Sequence, residues 1–193
     1  MSTLFRIVVL ALILSVSAKA DDIRDFEIEG MSIGDSLLDY FSKDEIKSNI
    51  NYDSYEWISE KKFFDFELYD SERFDQYEGV QITIKINDKK YIIHSIAAGI
   101  FYKHNIDDCY SDMKIIIKDL QEMFTNAKTD LNKKLNHPTG RGTALSNWFD
   151  VDGGSISVMC SDWNKEAENE YGWTDNIRVE VRTNEFGEWL SSN

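Results

Sequence analysis

Three stretches of this chain alternate apolar and polar side chains with a period of two, and that alternation restricts the fold more than any other feature. Between Lys62 and Tyr69, Phe64, Phe66 and Leu68 alternate with Asp65 and Glu67. Val80, Ile82, Ile84 and Ile86 alternate with Gln81, Thr83 and Lys85, and Ile177, Val179 and Val181 alternate with Asn176, Arg178, Glu180 and Arg182. Successive side chains of a strand point to opposite faces, so each stretch predicts a strand with one face on a core.

Turn chemistry extends the sheet. Asn87-Asp88 turns the second stretch into Tyr91–Ile96, which predicts a hairpin. A second hairpin is predicted from Trp148–Val151, the turn Asp152-Gly153-Gly154, and Ile156–Cys160. Cys109, Met113, Ile116, Ile117, Leu120, Met123 and Phe124 step by three and four, and Ala127, Leu131 and Leu135 prolong the stripe. One long amphipathic helix from about Asp107 to Asn136 is therefore expected, with acids at its start, lysines near its end, and His137-Pro138-Thr139-Gly140 stopping it. Leu37, Leu38, Phe41 and Ile46 predict a shorter helix from Asp35, and Phe186, Trp189 and Leu190 a terminal helical turn capped by Thr183 or Asn184. With 42% hydrophobic residues and one proline, disorder is excluded. The expected class is α+β: a mainly antiparallel sheet of about six strands, with one long and one shorter helix packed on one face in a two-layer sandwich. Each half reads as a helix followed by about three strands.

Met1–Arg6 is short and basic, residues 7–16 read IVVLALILSV, and Ala18-Lys19-Ala20 has the small-x-small form that precedes a signal-peptidase cut. Residues 1–20 are thus expected to be a cleaved leader and 21–193 one exported domain, periplasmic or secreted. The lysine-, asparagine- and isoleucine-rich composition suggests a bacterial source. Without the leader, 19 basic residues face 35 acidic ones, a net charge near −16. Such a field repels nucleic acid and anionic membranes and favours cationic partners. No later run is apolar and long enough to span a bilayer.

Cys109 and Cys160 are the chain's two cysteines. The first lies on the helical stripe and the second shares a strand face with Ile156 and Val158, so both point into one helix–sheet interface. In an oxidising compartment they are expected to form a disulfide.

Gly34-Asp35-Ser36-Leu37 resembles the signature of the GDSL esterases and lipases, and the resemblance makes Ser36 a nucleophile. The pattern does not extend further: Tyr91, Phe101 and Lys134 stand three residues before His94, His104 and His137, where that family has an aspartate. Gly30-Met31-Ser32 resembles the turn opening the helix-then-sheet repeats of the β-lactamase-inhibitor and outer-membrane assembly lipoprotein folds, which implies a binding module. Residues 25–41, with Asp108-Cys109-Tyr110, resemble a family of small secreted bacterial proteins to which no activity is attached.

Trp163, Tyr171 and Trp173 stand among Glu166, Glu168, Glu170 and Asp175, and aromatic faces beside carboxylates suit a cationic or sugar-like small molecule. Asp150-x-Asp152-Gly153 is a fragment of a calcium loop and gives a calcium-dependent module as a further alternative. His94 reads as a hydrogen-bonded strand residue and His137 as a helix-end residue. No catalytic residue, cofactor or metal set is assigned. The expectation is a non-enzymatic binding or interaction protein, with the Ser36 esterase as the alternative.

Overall fold

The computed structural model describes residues 20–69, 72–103, 105–137 and 139–192. Residues 1–19 of the expected leader, His104 and Pro138 lie outside the described residues.

The elements are β1 (Glu27–Ile28), β2 (Met31–Ser32), α1 (Lys43–Ser48), β3 (Ile50–Asn51), β4 (Phe63–Tyr69), β5 (Gly79–Lys85), β6 (Ile93–Tyr102), α2 (Ile106–Met123), β7 (Lys128–Asn136), β8 (Gly142–Val151), β9 (Gly154–Trp163), α3 (Lys165–Tyr171), β10 (Asp175–Thr183) and α4 (Asn184–Ser191). Apart from the small β1–β2 hairpin, all strands join one antiparallel sheet in the order β3-β4-β5-β6-β10-β9-β8-β7. Two four-strand meanders thus meet back to back, with β6 paired to β10 at the centre. The class is α+β, and the main sheet has eight strands rather than about six.

The alternating stretches form the inner strands. Phe66, Ile82, Ile96, Val181, Ile156 and Phe149 are cross-strand neighbours in one row over six strands, and all are fully buried. Each such side chain contributes roughly 1.5–3 kcal/mol by leaving water. Cys109 on α2 is bonded to Cys160 on β9, which is on the same face as this row, with S–S 1.97 Å and Cα–Cα 6.1 Å. Met113 and Leu120 of α2 are buried with it, so α2 covers this face.

Phe63 lies on the opposite face from Phe64 and Phe66, and its ring meets Phe186 and Trp189 of α4 at centroid distances of 5.2 and 5.1 Å. Tyr55 and Ile58 complete this second, smaller cluster. α4 thus sits over the Phe63 face and α2 over the Phe66 face, where Phe41 and Ile46 also join the main core. Thr183 caps α4 as expected, its hydroxyl accepting from Phe186 N at 3.2 Å.

The expected long helix stops at Met123, and the segment carrying Leu131 and Leu135 is strand β7, paired with β8. Its helix-like spacing is incidental. β7 is an edge strand, exposed along nearly its whole length, so no apolar alternation marks it. Its three lysines and a bulge between Asp130 and Lys133, where Asn132 has φ 57°, suit an edge guarded against further pairing. The last turn of α2 accordingly contains no basic residue. The shorter helix is also divided: Ser36 caps a 3-10 turn at Leu37–Asp39, and Ser42 with Glu45 forms a capping box that starts α1.

Candidate interaction face

The strand register fixes what the face opposite α2 displays. One cross-strand row runs Tyr69, Gly79, Gly99, Arg178, Met159, Ser146 and Lys133. The next runs Glu67, Gln81, Ala97, Glu180, Ser157, Trp148 and Asp130. A third, on the other side of the first, runs Phe101, Asn176, Ser161, Ala144 and Leu135. α4 and the Phe63 cluster occupy one part of this face. Small residues form the floor: a Cβ on Gly79 would overlap the Tyr69 ring, which lies against that glycine. Tyr69 and Phe101 rise from this floor and remain 54% and 38% exposed.

Polar side chains between these rings are tied into one network across five strands, Arg178 also lying 3.7 Å from Glu180. Arg178 donates from Nη2 to Gln81 Oε1 at 2.8 Å, and Gln81 donates from Nε2 to Asp65 Oδ2 at 2.9 Å and Glu67 Oε1 at 3.0 Å. Asn51 also donates to Glu67, and Ser95 to Glu180. Asp65 is fully buried and accepts from Tyr55 and Thr83 hydroxyls as well. Burial outweighs these donors and pushes its carboxyl up to about 6. Further along β10, Arg182 donates to Ser155 Oγ at 3.3 Å and stacks over Trp148 at 4.6 Å. The face is therefore preorganised, with one guanidinium stacked on Trp148 and a second held by Gln81.

The sequence-predicted loop residues are brought together at the end of this same face. Trp163 lies against Gly142 and contacts Trp173 at a centroid distance of 4.6 Å, and Tyr171 meets Trp173 at 5.3 Å. His137 adds a fourth ring, 4.3 Å from Trp163, and Arg141 stacks over Tyr171 at 4.5 Å. Much of this aromatic surface is spent on the residues themselves. One side of Trp173 borders a shallow cavity of about 230 Å³, with Lys103, Glu168, Gly172, Thr174 and Asp175. The segment is also more ordered than a polar connection, since Lys165–Tyr171 is helix α3, capped by Asn164 and ended by Gly172 at φ 68°.

Ser36 is placed as a cap. Its hydroxyl donates to Lys90 O at 2.7 Å and accepts from Leu38 N at 3.2 Å, while Asp35 accepts from Ser32 N and Tyr40. His94 lies elsewhere, edge-on to Phe63 and near Thr183 and Glu185. Burial and then Lys85 keep its imidazole below the ordinary range. Glu185, drawn down to about 2 chiefly by its hydrogen bond to Lys85, also pairs with Lys62. His137 ends β7 instead of a helix, and its Nδ1 lies 3.0 Å from Thr139 Oγ1. Asp150 and Asp152 lie at the β8–β9 turn, and no group of three or more His, Cys, Asp or Glu side chains converges as a metal site among the described residues.

No protein-family model, curated protein or solved structure matches the chain. The site residues that sequence reasoning missed, Tyr69, Phe101, Trp148, Arg178, Arg141 and His137, come together only through strand register. The sole local signal was the polar half of each alternation, which reads as solvent-facing.

Proposed function

We propose that this is an exported, non-enzymatic binding protein that engages a macromolecular partner through the sheet face opposite α2. The observation that carries this reading is the strip from Tyr69 through Arg178 to Trp148, whose larger side chains are exposed or half-buried. It combines aromatic rings, methionine and positioned arginines over a floor of small residues, the residue types that dominate binding energy at protein interfaces. The Cys109–Cys160 bond supports export, since such pairs persist in oxidising compartments. The acidic excess favours a partner of basic overall charge. Use of Ser36 as a nucleophile has no support from its contacts, which consume the hydroxyl in a cap.

A photoreactive phenylalanine analogue at Phe101 or Met159 tests the reading in the native host. The expected result is a saturable crosslink to one species from both positions, lost on Arg178→Glu and absent from Ile115 on the outer side of α2. Equal crosslinking from Ile115, or none from the face, would remove the proposal.

A second, small-molecule reading rests on the cavity beside Trp173. It predicts saturable quenching of tryptophan fluorescence by a sugar or quaternary ammonium, abolished by Trp173→Ala.

A further inference from the structure

The last residue of the expected leader and those that follow it are built into the fold. Ala20 is buried, and its N–H donates to Met123 O at 3.3 Å, the end of α2. Asp21 N donates to Asp25 Oδ2 at 3.3 Å, Asp21 O accepts from Asp152 N at 3.0 Å, and Asp21 Oδ1 accepts from Asn126 at 2.9 Å. Asp22 forms a parallel bridge with Asp152, Ile23 N donates to Asp152 O at 3.0 Å, and the Ile23 side chain is buried against Gly153 and Gly154.

Resting on the export reading above, we infer that the fold uses its own processed N-terminus as a docked ligand: cutting precedes folding, and the freed Asp21 ammonium then closes on Asp25. The cut is a hydrolysis by signal peptidase. Water adds across the Ala20–Asp21 bond, Ala20 leaves as a carboxylate, and the Asp21 nitrogen takes up protons to become an ammonium. A protease must draw several residues around the bond into an extended, unpaired strand. In the folded chain those backbone groups already serve Met123, Asp25 and Asp152, and the flanking Ala20 and Ile23 are buried. The folded precursor is therefore shielded at the bond that must be cut.

Once freed, the ammonium carries a charge at a position whose neutral N–H already meets a carboxylate. The charged groups around it are Asp22, Arg24 and Asp25 of the first turn, Lys128 of β7, and Asp150 and Asp152 at the β8–β9 turn. Arg24 is engaged by Asp22 at 2.7 Å, so acids predominate around the new terminus. Its titration accordingly moves above the ordinary α-amino range of about 7.7–8.0. A raised folded value means that its stabilisation is present below about pH 8 and is lost as pH rises through the folded value.

The test uses the full chain, residues 1–193, with signal peptidase in detergent micelles. Peptidase present at the moment of dilution from urea should cut between Ala20 and Asp21. Peptidase added after refolding should cut at least roughly tenfold more slowly, and Ile23→Asp, which loosens the docked segment, should restore cutting. Equal rates before and after refolding overturn the shielding. Absence of that cut in either case overturns the leader reading itself. On protein beginning at Asp21, carbon-13 dimethylation of the terminus reads its titration by NMR. A midpoint above about 8 that falls back in Asp25→Asn is expected. A midpoint unaffected by Asp25→Asn overturns the docking.

Discussion

The hydroxyl of Tyr55 donates to Oδ1 of Asp65 across 2.9 Å, and both residues are closed off beneath the α4 cluster. Edge-on contacts from Trp189 and Phe186 hold the tyrosine ring at centroid distances of 5.1 and 5.8 Å. A carboxyl is thus held out of water by a helix at the far end of the chain, in the same network that positions Arg178 through Gln81.

A specific pH dependence follows from this burial. The Asp65 carboxyl is raised to about 6 from an ordinary 3.8, so the fold favours its protonated form. Its contribution is fully present below about pH 4 and is lost as pH rises through about 6, an effect of order 3 kcal/mol. Urea melts between pH 4 and 7 check it. Asp65→Asn should flatten the slope over that window, even if its baseline drops from a mismatched amide facing Gln81. An unchanged slope would contradict the assignment.

The disulfide carries a second prediction. It closes a sequence separation of 51 residues, worth about 4 kcal/mol in the chain-entropy account. Cys109→Ser with Cys160→Ser should lower stability by about that amount in urea at pH 7. Hydrogen exchange should show the loss concentrated in α2 and β9, where the bond ties helix to sheet.

Two glycines of the sheet should respond differently to alanine. A Cβ on Gly154 would collide with the backbone carbonyl of Arg182, which cannot swing away, so Gly154→Ala should cost about 1–3 kcal/mol. At Gly99 the nearest contact of a Cβ is an ordinary 3.4 Å, to Ile177 O. Gly99→Ala should stay within about 0.5 kcal/mol of the native protein in thermal melts.

The parts of this fold that could be read in the sequence are those where burial is one-sided. Ile177 to Val181 alternate because one face is packed and the other is polar, and Phe64-Asp65-Phe66 alternate in polarity although Asp65 is itself buried under a second cluster. The Cys109–Cys160 pairing was legible for the same reason, since each cysteine sat in a stripe whose direction was known. β7 left no such trace: exposed along nearly its whole length, it offers only Leu131 and Leu135, four residues apart, which match a helix as well as a strand. The end of α2 was obscured because Phe124, Ala127 and Leu131 all pack on the main core from beyond the last helical residue. Ser42 with Glu45 was a readable start signal for α1, overshadowed by the apolar spacing that runs from Leu37 to Ile46. The interaction face was not legible at all, because Tyr69, Arg178 and Trp148 are separated widely in sequence and adjoin only when β6 pairs with β10.

Carbene footprinting of the protein in its native setting, compared with purified protein, tests most directly whether the face opposite α2 is a binding surface. Labelling of Tyr69, Phe101, Trp148 and Met159 should fall severalfold in the native setting, while Ile115 and Tyr52, on other surfaces, stay unchanged. Equal labelling of the face in both settings would contradict the account.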